Sequence, residues 1–168
     1  MNFGKKTEPV KTEPVQPVQG PFIPVKVPAL FIRSARVEDK DQILRLGNSI
    51  EELKWNLTSP FLTEEELEDY LKYHNHSFVA TIAGKIVAFV IGEKSGPLDR
   101  LGCIVFLAVA LEYRKLGIAR ALLLECEEDL NTKDMYLLST SESSTRFYEH
   151  LGYREGKTVS YMSKERES

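Results

Sequence analysis

An α/β (α+β) fold built on one mixed central sheet is what this sequence predicts, and three observations predict it. The nine residues Cys103–Leu111 are the longest apolar run in the chain, apolar on both faces as a central strand must be. An amphipathic helix follows directly over 117–130, with Ile118, Leu122, Cys126 and Leu130 stacked every fourth residue. Ahead of them, Ser77–Ile82 and Lys85–Gly92 read as strands joined by Ala83-Gly84, a link short enough for a tight hairpin turn.

The remaining elements fall into place around these. Residues 1–28 predict a proline-rich tail with no packed structure. Lys-Thr-Glu-Pro-Val occurs at 6–10 and again at 11–15, prolines continue to Pro28, and there is little apolar surface to bury. Order begins near Ala29, with a strand over Leu30–Ala35 and a helix over Glu38–Asn48 carrying Ile43, Leu44 and Leu46. Residues 49–61 are irregular. Thr63 followed by Glu66 is a capping box that starts a helix reaching about Tyr73. After the helix at 117–130 come a strand at Met135–Ser139 and a short helix at Ser144–Leu151, with Gly152 as its left-handed stop. Tyr153–Glu155 and Lys157–Met162 read as a closing pair of strands, and 164–168 as a short tail. The sheet is thus expected to hold six to seven strands, with about four helices.

Composition sets outer limits. A chain of 168 residues suits one domain with a single core. A membrane span needs roughly 18 apolar residues or more, so a nine-residue run supplies none. No basic start joined to an apolar stretch marks a secretory signal, which predicts a cytoplasmic protein. Cys103 lies in a predicted strand and Cys126 on the helix stripe. Both read as small core residues in a reducing compartment, not as a disulfide or a metal pair. The formal net charge is −3, and the first 28 residues are themselves basic, with four lysines against two glutamates. The body is therefore acidic and lacks the broad basic face of a nucleic-acid binder.

One basic turn interrupts that acidic body, at the junction of the apolar strand and its helix. Arg114, Lys115, Leu116, Gly117, Ile118, Ala119 and Arg120 put three cations around a glycine where a helix begins. A helix N-terminus leaves main-chain N–H groups unpaired, and its dipole adds positive charge there. Gly117 admits an anion close to the backbone, so the turn predicts a phosphate cradle.

Arg114-x-x-Gly117-x-Ala119 after a strand containing Leu107-Ala108-Val109 resembles the acetyl-CoA pyrophosphate loop of the GCN5-related N-acetyltransferases (GNAT). Phe147-Tyr148-Glu149-His150-Leu151-Gly152-Tyr153 resembles the same family's late helix-to-strand block. Ile32-Arg33-x-Ala35, Glu38-Asp39 and Ile43-Leu44-x-Leu46 resemble its opening strand and helix. The resemblance spans about residues 29–163 and implies the acyl-CoA N-acyltransferase fold, with acetyl-CoA as co-substrate. It implies that backbone groups at Leu107 and Val109 pair with the pantetheine arm beside a strand bulge, the Val109 amide facing the thioester oxygen. It also implies that Tyr148 is the general acid beside the sulfur. Where many relatives have an asparagine that supports the cofactor arm, this chain has Ser141. Where relatives acting on protein N-termini often carry a glutamate base, it has Tyr136.

Transfer to an amine needs a held thioester, a polarised carbonyl, a proton acceptor and a proton donor. The acceptor is open among Glu93, Asp99, His74, His76 and solvent. Glu51, Glu52, Trp55 and Phe61 are candidates for touching the acceptor substrate, since the resemblance implies that the first two helices line its cleft. The reading that follows is an N-acetyltransferase acting on a primary amine of a small molecule or a protein, by direct attack in a ternary complex. The alternative is an acetyl-CoA-binding sensor with weak or no catalysis. Monomer and homodimer are both open.

Overall fold

The computed structural model describes residues 29–54, 60–73, 76–96, 99–139 and 141–156. The predicted tails at 1–28 and 164–168, and the candidates Trp55 and His74, lie outside them. Among the described residues, five strands form one sheet in the order β1-β2-β3-β4-β5: Leu30–Ser34, His76–Ile82, Lys85–Ser95, Leu101–Val109 and Asp134–Leu137. The first four are antiparallel in turn, and β5 joins β4 in parallel. Helices α1 (Lys40–Asn48) and α2 (Glu64–Tyr73) precede β2, α3 (Ile118–Leu130) links β4 to β5, and α4 (Glu142–His150) follows β5.

Local chemistry accounts for most boundaries. Thr63 Oγ1 accepts from the Glu66 amide at 3.2 Å while Glu66 Oε2 accepts from the Thr63 amide at 2.8 Å, the reciprocal box predicted for α2. Ala83 and Gly84 both take positive φ, 51° and 78°, the pair of left-handed residues a two-residue hairpin requires. At the end of α4, Gly152 (φ 94°) donates to Glu149 O and Tyr153 to Tyr148 O, a Schellman stop.

Two apolar layers sandwich the sheet. On one face α1 and α2 bury Ile43, Phe61, Leu67 and Leu71 against Val79, Phe89 and Ile91. On the other, Ile118, Leu122, Leu123, Cys126 and Leu130 of α3 pack on Phe78, Val90 and Ile104, with Tyr148 at the margin. The predicted stripe is this face, and each such aliphatic side chain contributes about 1.5–3 kcal/mol. Cys126 donates its thiol to His76 O, and burial pushes its pKa up to about 12, so it stays protonated as a core residue.

Of the expected closing pair of strands, only the first falls within the described residues, and it does not join this sheet. Tyr153–Glu155 is irregular among the described residues, and 157–162 lies outside them. Tyr153 is drawn back by the helix stop and by its hydroxyl, which donates to Glu127 Oε1 of α3 at 2.5 Å, so it turns toward α3 instead of extending.

The start of α1 is held by one buried acid. Arg33 binds Asp39 through both guanidinium nitrogens, at 2.6 and 2.8 Å, and the Arg36 amide adds a bond at 2.9 Å. Burial alone would raise the Asp39 carboxyl, but these donors outweigh it and hold it below the ordinary carboxylate value. A depressed acid stabilises the fold above its unfolded pKa and loses that contribution as pH falls through the folded value. Asp39→Asn should therefore cost about 1–2 kcal/mol at neutral pH, with the gap to wild type closing below pH ~4. Urea unfolding at both pH values checks this, and an equal gap at each would refute it.

Candidate active site

The opening that defines the site starts at an extra residue in β4. Ile91 faces Phe106, but the next residue, Gly92, faces Ile104, leaving Val105 as a bulge. On its other side β4 pairs with β5 only from Leu101 to Ile104, whose partner is Leu137. Beyond that pair, residues 105–109 have no strand neighbour on the β5 side among the described residues. Ala110 donates to Val87 O at 2.9 Å, so Ala108 and Ala110 turn their main-chain groups toward β3. By the alternation of an antiparallel ladder, Leu107 and Val109 turn theirs into the opening. One of those groups is engaged, since Val109 O accepts from Arg114 Nε at 3.2 Å.

The loop after β4 makes a short 3-10 turn at Leu111–Tyr113 and enters α3 through Gly117 in the left-handed region, at φ 79°. Lys115 is also left-handed, at φ 64°, an uncommon conformation that costs of order 1 kcal/mol. The first helical bond runs from Ala121 N to Gly117 O, at 3.1 Å. Among the described residues, no group accepts from the amides of Ile118, Ala119 and Arg120, and no side chain caps the helix start. Arg114, Lys115 and Arg120 are exposed and have no carboxylate partner among the described residues. Leu116 is exposed and Ala119 half-buried. Ile118 sends its side chain into the core and can present only its amide.

Tyr148 is half-buried on the α3 side of the sheet, in edge contact with Phe147 and Tyr153 at ring distances of 5.1 and 5.7 Å. Burial raises its phenol above the ordinary value, and its hydroxyl has no partner among the described residues. Ser141 is the N-cap of α4, accepting from the Ser144 amide at 3.2 Å, with its hydroxyl beside those of Ser143 and Ser144. Its first task is to start the helix that carries Tyr148.

On the opposite face, Glu51 and Glu52 join Ser49, Ile50, Lys85, Ala110, Leu111 and Arg114 around an open cleft of about 970 Å³. Phe61, a candidate acceptor contact, is instead a core residue 1% exposed, stacked among Phe89 and Phe106. His76 is held by Asp129 at 2.5 Å, and Asp99 sits exposed in the β3–β4 loop. Glu93 lies half-buried on β3 opposite Cys103, which in turn lies opposite Tyr136 on β5. That alignment has no signal in sequence, because it depends on the register of three strands.

A family model for the acetyltransferase (GNAT) domain matches residues 73–155. An N-alpha-acetyltransferase of Sulfurisphaera tokodaii is 32% identical over 143 residues, spanning 76% of this chain and 82% of that protein. Among solved structures, an aminoglycoside N-acetyltransferase in complex with CoA superposes with a TM-score of 0.68 at 17% identity, over 82% of this chain and 95% of that one. The ribosomal-protein-S18-alanine N-acetyltransferase from Escherichia coli does so with 0.63 at 21% identity, over 77% and 80%. These two likenesses speak for the fold alone. The relative's identity across most of both chains, together with a strand parting before a glycine-turned helix start, makes this chain a member of the GNAT acetyltransferase family.

Proposed function

We propose that the chain transfers the acetyl group of acetyl-CoA to a primary amine, and that the α-amino group of a polypeptide is the acceptor class. The observation that carries this reading is the opening between β4 and β5 leading to the amides of Ile118, Ala119 and Arg120, which have no acceptor among the described residues. Those amides, with Arg114, Lys115 and Arg120, suit a diphosphate, and the main-chain edge at Leu107 and Val109 suits an amide-bearing arm laid along it as a further strand. The co-substrate supplies a thioester whose carbon is open to attack. The relative named an N-alpha-acetyltransferase supports the acceptor class. Two buried free cysteines suit a reducing cytoplasm.

In this reading Tyr148 donates its phenolic proton to the departing sulfur. A phenol raised by burial is fully protonated at neutral pH and so is always in the donating form. The row of Glu93, Cys103 and Tyr136 lies beside the place where β4 and β5 part, and the ring of Tyr148 belongs to the layer on the opposite, α3 side of the sheet. An amine can thus approach from the α1–α2 side while the leaving group is protonated from the α3 side.

The test is thiol release from acetyl-CoA with short peptides bearing free or blocked α-amines, alongside calorimetric binding of acetyl-CoA. Turnover only with free α-amines is expected. Binding without turnover on any amine would overturn catalysis and favour the sensor reading. Gly117→Val adds a second arm. Its Cβ meets open space, so any loss comes from the left-handed backbone, which costs a β-branched residue about 1–2 kcal/mol. The loop should reshape and acetyl-CoA affinity fall about tenfold, and unchanged affinity would remove Gly117 from the cradle.

A further inference from the structure

Three side chains from three strands form a row at the mouth of the opening. Glu93 of β3 faces Cys103 of β4, and Cys103 faces Tyr136 of β5. Directly opposed residues project from the same side of a sheet. The side follows from their neighbours. A Cβ on Gly92 would meet Cys126 Sγ of α3 at 2.5 Å, and Ile104, Met135 and Leu137 all pack with the α3 layer. Alternation therefore turns Glu93, Cys103 and Tyr136 toward α1 and α2.

Their level in the sheet matters as much as their face. Ile104–Leu137 is the last pair before β4 and β5 separate, so the row is one residue short of the parting and two short of the Val105 bulge. Ser95, two residues beyond Glu93 on the same face, sets its hydroxyl 3.2 Å from the Tyr136 hydroxyl and fixes that phenol. Burial raises Tyr70 of α2 and Cys103, and the charge of Glu93 adds to both shifts, so these neighbours stay neutral around it. Toward this face also lie Glu66 of α2, held low by Thr63, the exposed Asp134 of β5, and Glu51 and Glu52 at the cleft beside Arg114.

We propose that Glu93 is the catalytic proton acceptor for the incoming amine, with Tyr136 as the positioning residue that holds the amine or its bridging water at the parting of the strands. The inference rests on the acetyl-transfer reading above. An ammonium nitrogen gives one proton to the Glu93 carboxylate, which passes it to solvent. The freed lone pair forms the C–N bond as the C–S bond breaks. Sulfur takes the Tyr148 proton, and the second proton released by nitrogen restores the phenol through water.

The experiment compares wild type, Glu93→Gln, Glu93→Asp and Tyr136→Phe, using acetyl-CoA and the free-α-amine peptides as probes across pH 5–10. Glu93→Gln is nearly isosteric, and its kcat should fall about 100-fold while acetyl-CoA binding stays within about twofold. Its pH–rate profile should lack the acidic limb expected of wild type. Glu93→Asp should keep that limb at reduced rate, which a merely structural role would not predict. Tyr136→Phe should raise KM more than it lowers kcat. An active wild type with an equally active Glu93→Gln variant and an unmoved acidic limb overturns the role of Glu93 alone. A wild type that neither binds acetyl-CoA nor releases thiol overturns the acetyl-transfer reading, and this inference with it.

Discussion

Replacing Tyr148 with phenylalanine is expected to lower kcat about 100-fold while acetyl-CoA affinity stays within about twofold, the span that a lost general acid removes. The substitution deletes one oxygen and leaves the ring, whose contacts with Phe147 and Tyr153 and with the α3 layer hold α4 in place. That oxygen has no partner among the described residues, so its loss should leave the melting temperature nearly unchanged. The wild-type rate should also stay flat on its basic side to about pH 10, because burial lifts the phenol above its ordinary value. Steady-state thiol release with parallel calorimetry reads all three quantities. Unchanged turnover would strip Tyr148 of its assigned role, whereas a fall in both affinity and stability would mark it as a packing residue.

The largest stability effect is expected at Gly47 of α1. A Cβ there would stand 2.2 Å from Phe61 Cδ1 and 2.3 Å from Cε1, well inside any contact real atoms make. Phe61 cannot swing aside, being 1% exposed and wedged between Phe89 at 5.6 Å and Phe106 at 5.2 Å. Helix propensity works the other way, since glycine is the poorer helix former by about 1 kcal/mol. Overpacking costs about 1–3 kcal/mol for a well-filled core, and a β-branched residue gains less from propensity. Gly47→Val should therefore destabilise by about 2 kcal/mol, or about 4–8 °C in Tm for a domain of this size. Pairing it with Phe61→Leu should recover part of the loss, the coupling expected of touching residues. A stable single variant would mean that Phe61 does not lock α1. The consequence reaches function, because the chain leaving α1 through Ser49–Glu52 walls the cleft beside Arg114.

What this sequence determined by itself was set within a few residues of chain. The α3 stripe, the Thr63–Glu66 box, the Ala83-Gly84 turn, the Gly152 stop and the basic turn before α3 all depend on spacings of one to five residues. They were legible because torsions and local hydrogen bonds fix them wherever they occur. The tertiary structure alone decided which distant segments met. The Val105 bulge, the parting of β4 from β5 and the row Glu93–Cys103–Tyr136 come from strand register across some forty residues of chain. A one-residue slip would turn that row to the other face while leaving every local pattern intact. Phe61 illustrates the same limit. As an aromatic in an irregular stretch it suited an acceptor cleft, and only the space above Gly47 shows that it closes the core. Tyr153 shows it from the other side, since a residue that reads as strand was captured by the helix stop and by Glu127. Short-range geometry wrote the basic turn before α3 into the chain, and long-range pairing set what stands opposite it.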